Sequence, residues 1–240
     1  MIRAFIFDLD GTLVETEMLK ARAYAAVSRD LLGLQDPDER AISLYSRIVG
    51  ATDETAARAM VDELGLAGSL SHTAGEPWRA LHALQSDRYR TEFATGDALR
   101  TAAYPYAVDL LRRQAESGML VAIATSSFTE QARRVTAELG VENVLDALVG
   151  RDQVTNGKPD PEIYLKTADI LGVAPDETVV IEDSATGLEA AVRAGTHCIA
   201  VASAFSAAGL REQTLLAQDW CVYEPEKLAG VVERRLTAAV

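Results

Sequence analysis

The second part of the chain, from about residue 103 onward, alternates apolar segments with amphipathic ones, and this pattern restricts the fold strongly. The apolar segments are near-continuous runs of Val, Ile, Leu and Ala, such as MLVAIA at 119–124 and TVVIE at 178–182. Such runs are typical of strands buried on both faces, and the segments between them have helical spacing. The alternation predicts an α/β fold, a Rossmann-like parallel sheet with helices on both faces.

The segment 15–98 interrupts this alternation. It holds no convincing strand and divides into four helical stretches, most of them ended by glycine. We therefore predict an α/β core made of residues 1–14 and 99–240, and an all-helical domain at 15–98 inserted after the first strand. The segments Val14–Thr16 and Gly96–Ala102 are predicted to be short linkers that act as paired hinges.

The composition of the 240-residue chain argues against several classes of partner. Its net charge is −13, so its overall field repels nucleic acid and anionic membranes. No apolar run approaches the roughly 20 residues of a membrane helix, and the N-terminus lacks the layout of a signal peptide. We expect a cytoplasmic protein, monomeric by default, with no nucleic-acid or membrane partner, whose Cys198 and Cys221 are buried free thiols.

Polar side chains follow the predicted strands at the points where the strands end. They are Asp8 and Asp10 after the first strand, Thr125 and Ser126 after 119–124, Lys158 after the strand-like run DALVG, and Glu182 with Asp183 at the end of TVVIE. Taken singly, each has a plain interpretation as a turn, a helix cap or a solvated lysine. In an open parallel sheet, however, ligands bind beyond the carboxyl ends of the strands. Because polar side chains follow several of the predicted strands, we expect them to form one site.

The chemistry of such a site follows from its charges. Its four carboxylates repel one another unless a divalent cation neutralises them, and oxygen ligands without His or Cys favour Mg²⁺. Lys158, with hydroxyl or amide donors at Thr125 and Ser126, suits a phosphoryl group. Asp8 is then the predicted nucleophile, which forms an aspartyl-phosphate, and Asp10 the general acid and base.

The segments FDLDGTL, IATSS, GKPDPEIY and VIEDSATG resemble, in this order, the four motifs of the haloacid-dehalogenase-like (HAD) superfamily. The resemblance spans the chain and is to the subgroup of small-metabolite phosphatases and β-phosphoglucomutases with a helical cap. It implies that Mg²⁺ is held by Asp8, the main-chain carbonyl of Asp10 and Asp183, with Glu182 near it or in contact through water.

The resemblance also implies how the phosphoryl group is bound. Thr125 and Lys158 are expected to contact its oxygens, with help from the main-chain N–H groups near Leu9 and Ser126. The inserted helical domain corresponds to the cap of the family, which closes over the site and carries the specificity.

The chain departs from the family in the first cap helix, where Lys20 stands in place of a common histidine. Lys20 is either a solvated helix lysine or a residue that contacts the substrate or orients Asp10. The loop SRIVGATDE resembles the specificity loop of the cap, so Arg47 and Gly50 are further candidates for substrate binding.

These residues predict an enzyme, a Mg²⁺-dependent phosphatase of a small phosphorylated metabolite such as a sugar phosphate or phosphoglycolate. A β-phosphoglucomutase-like phosphohexomutase uses the same aspartyl-phosphate, and the sequence leaves this alternative open. Dehalogenase and phosphonatase activities are disfavoured because neither uses Asp10. A signalling receiver domain is shorter and lacks the insert, and a catalytically inactive binding protein is expected to have lost Asp8, Asp10 or Lys158.

Overall fold

The chain forms two compact units in a computed structural model, of which we describe residues 1–48, 53–72 and 75–238. One unit consists of Met1–Glu15 and Ala102–Val240, and the other of Thr16–Thr101. The first contains the sheet, and the second is helical.

The strands form a single six-stranded parallel sheet in the first unit. They are β1 (Ala4–Phe7), β2 (Leu120–Ala124), β3 (Ala147–Val149), β4 (Thr178–Glu182), β5 (His197–Val201) and β6 (Cys221–Val222). Their order is β3-β2-β1-β4-β5-β6. The direction of winding therefore reverses between β1 and β4, which is where open α/β sheets bind their ligands. The predicted Rossmann-like fold is confirmed.

Eleven α-helices are formed by the described residues. Those of the helical unit are α1 (Thr16–Leu32), α2 (Glu39–Ile48), α3 (Asp53–Leu64), α4 (Pro77–Arg88) and α5 (Gly96–Thr101), and those of the other unit are α6 (Pro105–Glu116), α7 (Thr129–Glu138), α8 (Glu162–Leu171), α9 (Ala185–Arg193), α10 (Ala207–Glu212) and α11 (Leu228–Ala238). Single turns of 3₁₀ or π helix lie at Tyr89–Phe93, Glu142–Val144, Arg151–Gln153, Pro175–Glu177, Gln218–Trp220 and Pro225–Lys227.

Both faces of the sheet are buried. Ile6 and Val180 belong to a core cluster that includes Tyr164 of α8 and Leu188 of α9. Side chains on the other face of the sheet, such as that of Phe5, are also fully buried. Because successive side chains of a strand point to opposite faces, this pattern explains the near-continuous apolar runs.

The helical unit has a core of its own. Helices α1 to α4 enclose Leu44, Met60 and Leu81, and the rings of Tyr24 and Tyr45 lie 5.6 Å apart. The apolar faces of these amphipathic helices pack against one another and form this core.

Within the predicted linker Gly96–Ala102, residues Gly96–Thr101 form the short helix α5, which the sequence did not predict. The fully buried side chain of Leu99 anchors this short helix. Cys198 and Cys221 are buried and free, as predicted. Within the described residues, no helix combines the length and the hydropathy that crossing a membrane requires.

Candidate active site

The carboxyl ends of β1, β2 and β4 bring the predicted core residues together. Phe7 pairs with Ile123 on one side and with Ile181 on the other, so the residues that follow these three strands lie at the same edge of the sheet. The predicted residues that meet there are Asp8, Asp10, Thr125, Lys158, Glu182 and Asp183.

Three buried carboxylates form the centre of this site. Asp8, Glu182 and Asp183 each offer an oxygen, and these oxygens lie within 4.8 Å of one another. Burial, opposed by Lys158 and assisted by the neighbouring carboxylates, raises the pKa of Asp8 to about 8. Burial and the charges of Glu182 and Asp8 raise the pKa of Asp183 well above its usual value.

Such an excess of buried negative charge is stable when a cation neutralises it. The donor set consists of hard carboxylate oxygens, which suits a divalent cation such as Mg²⁺. The residues present therefore fit a divalent metal at this place.

Lys158 connects two of these carboxylates. Its Nζ donates to Asp8 Oδ1 at 2.6 Å, to Glu182 Oε1 at 2.6 Å and to the carbonyl of Ala124 at 3.1 Å. Burial alone would lower the pKa of Lys158, but the two carboxylates outweigh it and raise the pKa, so the ammonium stays charged. All three N–H groups have protein acceptors, and a bond to a phosphoryl oxygen therefore requires exchange of one acceptor.

Glu182 is fully occupied by hydrogen bonds. Its Oε1 accepts from Lys158 and from the hydroxyl of Tyr164, and its Oε2 accepts from Asp183 N, Ser184 N and Ser184 Oγ. Burial would raise its pKa, but Lys158 and these donors lower it. Glu182 is thus held as an anion that orients Lys158, which favours Asp8 and Asp183 as direct metal ligands.

Two glycines allow carboxylates to approach the main chain. A Cβ on Gly11 would lie 2.3 Å from Asp183 Oδ2, and the φ of Gly11 is +84°, a conformation that favours glycine. A Cβ on Gly187 would lie 1.6 Å from Glu182 Oε1. These positions exclude any larger side chain unless a carboxylate moves.

Asp10 is held by the loop after β2. Its Oδ2 accepts from Ser127 Oγ at 2.7 Å and from Thr125 Oγ1 at 3.2 Å. Ser127 N donates in turn to Thr125 Oγ1 at 3.0 Å. The sequence-based prediction omitted Ser127, although the run TSS contains the signal, because the sequence does not show which hydroxyl faces Asp10.

Main-chain donors are available beside these side chains. Among the described residues, the N–H groups of Leu9 and Ser126 donate to no protein acceptor. Leu9 belongs to the turn that Gly11 makes, in which the N–H of Gly11 donates to the carbonyl of Val14. The hydroxyl of Thr12 is buried and has no hydrogen-bond partner within the described part of the chain.

The remaining predicted residues belong to the helical unit. Lys20 pairs with Glu17 at 2.8 Å, and Glu17 also accepts from the hydroxyl of Tyr45 at 2.7 Å. Arg47 forms an exposed ion pair with Glu63. The predicted Gly50 lies outside the described residues.

Comparison with known proteins decides the family. A sequence profile of haloacid dehalogenase-like hydrolases matches residues 2–195. The chain belongs to this family. The phosphorylated carbohydrates phosphatase of Thermotoga maritima is 31% identical over 198 residues, which are 82% of this chain and 84% of the relative. Hexitol phosphatase A of Escherichia coli is 33% identical over 199 residues, 83% of this chain and 82% of the relative.

Solved structures agree with this assignment. The crystal structure of a Thermotoga maritima protein named as a β-phosphoglucomutase has a TM-score of 0.74 and 27% identity, and the match covers 97% of this chain and 99% of that one. The predicted resemblance to HAD phosphatases and β-phosphoglucomutases is confirmed. The prediction of an enzyme, a HAD-like phosphoric monoester hydrolase, is also confirmed at the level of the family. HAD-like hydrolases typically use a divalent metal, and the acidic cluster fits one.

Proposed function

We propose that this HAD-like hydrolase is a Mg²⁺-dependent phosphatase that hydrolyses a small phosphorylated metabolite of the sugar-phosphate or phosphoglycolate type. The observation that supports this proposal is the position of Asp8, whose buried carboxylate contacts the Lys158 ammonium and lies beside Asp183. The relatives named as phosphatases of phosphorylated carbohydrates and of hexitols support this substrate class.

In the first step, a carboxylate oxygen of Asp8 attacks phosphorus, and the bond between phosphorus and the leaving oxygen breaks. Asp10 donates a proton to that oxygen, which leaves as an alcohol. The product is an aspartyl-phosphate at Asp8. The bonds from Ser127 and Thr125 to Asp10 keep its carboxyl group in one orientation for this transfer.

In the second step, water attacks the phosphorus of the aspartyl-phosphate. Asp10, now a carboxylate, accepts a proton from this water, and the bond between phosphorus and Asp8 breaks. Inorganic phosphate leaves, and the Asp8 carboxylate and the Asp10 proton are restored.

Asp8, Asp183 and the main-chain carbonyl of Asp10 would hold Mg²⁺, with Glu182 in contact through water. When bound, Mg²⁺ neutralises the carboxylates and polarises the phosphoryl group. Lys158, Thr125 and the N–H groups of Leu9 and Ser126 bind the phosphoryl oxygens. Together these donors stabilise the charge that develops in the transition state.

A phosphohexomutase is the second candidate, and the similarity to the structure named as a β-phosphoglucomutase favours it. In that reaction a hydroxyl of the sugar, instead of water, accepts the phosphoryl group from Asp8. Both reactions need the same residues of the sheet unit.

A screen of phosphorylated metabolites with Mg²⁺ tests these proposals. Inorganic phosphate release is measured for each compound, and conversion of glucose 1-phosphate to glucose 6-phosphate is measured separately with a bisphosphate primer. Asp8→Asn should lose at least about 10³-fold in kcat, because the nucleophile is gone. Asp109→Asn, an exposed change on α6, is the control and should stay active. Isomerisation with little phosphate release would favour the mutase, and an active Asp8→Asn would contradict both.

We further propose that the helical unit is the cap that selects the substrate, with Lys20, Arg47 and Gly50 as candidate contacts. Lys20→Met should lower kcat/KM about tenfold, since it removes a cation that an anionic substrate would meet. Thermal unfolding should shift little, because the ion pair of Lys20 with Glu17 is part-exposed and such pairs contribute little to stability. Unchanged kinetics would identify Lys20 as a solvated helix residue. A cytoplasmic location and a monomeric state stay predictions.

A further inference from the structure

Tyr164 lies beneath the site and has no part in the reaction described above. It is on α8, a few residues after Lys158, and among the described residues it is the largest side chain that is fully buried. Helix α8 packs on β1, β2 and β3, so Tyr164 is held against the sheet from the side of the core.

Tyr164 makes two contacts with the ion pair of the site. Its hydroxyl donates to Glu182 Oε1 at 2.9 Å, and the same oxygen accepts from Lys158 Nζ at 2.6 Å. The ring of Tyr164 lies under the ammonium, with Nζ 5.0 Å from the ring centroid. The ring face thus contacts the cation, and the hydroxyl fixes its counterion.

Burial alone does not explain this arrangement. A buried hydroxyl needs an acceptor, and Thr167, one turn later on α8, finds one in the carbonyl of Ile163 at 2.7 Å. Tyr164 instead donates to Glu182 Oε1 at the end of β4, and this is the oxygen of Glu182 that also accepts from Lys158. Without the phenol, Lys158 would be the one donor left to Oε1 among the described residues, while Oε2 would keep its three donors.

We propose that Tyr164 is a positioning residue that fixes the Lys158 ammonium against Asp8. The inference rests on the proposed phosphatase function. Tyr164 touches neither the substrate nor the nucleophile in this assignment, and it acts through Glu182 and through its ring. A correctly placed ammonium matters most in the transition state, so the loss should fall on kcat more than on KM.

Tyr164→Phe, Tyr164→Leu and Thr167→Val separate the hydroxyl, the ring and general core packing. Tyr164→Phe keeps the ring and should lower kcat about tenfold, because a hydrogen bond to a charged group is lost, with KM within about twofold. Tyr164→Leu also removes the ring and should lower kcat by a further tenfold or so. Thr167→Val deletes a buried hydroxyl on the same helix and should keep kcat within about twofold.

Steady-state kinetics with the best substrate of the screen, together with urea unfolding, distinguish positioning of Lys158 from general core packing. Equal kcat for Tyr164→Phe and Thr167→Val would overturn the proposal, whatever their stabilities. If Tyr164→Leu does not fold, the nearly isosteric Tyr164→Phe still decides the contribution of the hydroxyl.

A crystal structure of Tyr164→Phe provides a test that does not depend on turnover. We expect the 2.6 Å contact between Lys158 Nζ and Asp8 Oδ1 to lengthen or to divide into two conformers. An unchanged single contact would overturn the inference even in an active phosphatase. A wild-type protein that releases phosphate from no compound would contradict the proposed function, while this structural comparison would still test the placement of Lys158.

Discussion

Asp10 is held by two hydroxyl donors that come from the loop after β2. The bond from Ser127 Oγ is the shorter of the two, at 2.7 Å, and that from Thr125 Oγ1 is 3.2 Å long. A general acid works best when its proton is aimed at the leaving oxygen, because proton transfer requires hydrogen-bond geometry. In the proposed mechanism, Ser127 therefore positions Asp10.

Ser127→Ala should lower kcat about tenfold, since Asp10 loses its shorter hydrogen bond, and KM should change little. The measurement is steady-state kinetics with saturating Mg²⁺. Ser117→Ala is the matched control, because it removes an exposed hydroxyl that donates to the carbonyl of Gln114. Equal rates for both variants would show that Ser127 does not orient Asp10.

At the scale of elements, the start of α9 is built around the Glu182 carboxylate. Gly187 lies in the first turn of this helix, and a Cβ there would overlap Glu182 Oε1. To make room for a Cβ, either the Glu182 carboxylate or the start of α9 would have to move. Both movements would disturb the hydrogen bond from Lys158 to Glu182.

Gly187→Ala should destabilise the protein by about 1–3 kcal/mol, as overpacking does, and should lower kcat at least about tenfold. Gly209→Ala in α10 is the control, because nothing lies within 4 Å of the added Cβ. Alanine there should leave stability unchanged or raise it by up to about 1 kcal/mol. Urea unfolding and kcat are measured for both, and a Gly187→Ala protein as stable and active as Gly209→Ala would contradict the packing argument.

The start of α2 depends on one buried acid. Asp38 accepts from Ser28 Oγ at 2.7 Å and from Arg40 Nη2 at 2.8 Å, and only 3% of its side chain is exposed. These partners, Arg40 first and then Ser28, outweigh burial and hold the pKa of Asp38 below its ordinary value of 3.8.

Asp38→Asn should cost about 1–3 kcal/mol of stability at neutral pH, because a charged acceptor is lost. The pKa of Asp38 is lower in the folded than in the unfolded protein, so its charge stabilises the fold. This stabilisation is complete at pH values above the pKa of the unfolded state, and it is lost as the pH falls through the pKa of the folded state. The gap between wild type and Asp38→Asn should therefore shrink below the ordinary value of 3.8. Urea unfolding at several pH values measures this difference, and Asp36→Asn, a change at an exposed position, is the control and should be as stable as the wild type at neutral pH. A gap that stays constant in acid would contradict the charge argument.

The elements also show what the sequence could predict. The six strands are predictable because buried parallel strands are near-continuous apolar runs, and the site follows because parallel strands end at one edge. The helix at Gly96–Thr101 was missed because its glycine and short length are typical of a linker, while the burial of Leu99 arises only in the folded unit. Ser127 and Tyr164 were missed because their hydrogen bonds link distant segments, and no local pattern shows which hydroxyl faces which carboxylate.

At the scale of the whole molecule, the proposed metal binding should be coupled to stability. Asp8, Glu182 and Asp183 are buried close together, and a cation that binds only the folded state stabilises it by mass action. If Mg²⁺ binds as proposed, Mg²⁺ at about 100 times its Kd should add about 2.7 kcal/mol of stability, which corresponds to a Tm rise of about 5 °C or more for a chain of this size.

Asp183→Asn should abolish most of this rise in Tm, because it removes a ligand. Without metal, its Tm should equal or exceed that of the wild type, since one buried negative charge is gone. Thermal unfolding with EDTA and with Mg²⁺ measures both effects. Asp97→Asn, whose parent side chain is 97% exposed, is the control and should keep the full Mg²⁺ shift. A full shift in Asp183→Asn would place the metal elsewhere.

The pairing of β1 with β4 joins Ala4 to Thr178, and the helical unit and two further strands lie between them in the chain. Pairings of such high contact order form slowly, since a long loop must close before any contact is gained. Local helices should consequently appear early in refolding, while catalysis should return only with the last strand pairings. During translation, likewise, Asp8, the proposed nucleophile, leaves the ribosome long before Asp183, with which we propose it binds the metal, has been synthesised.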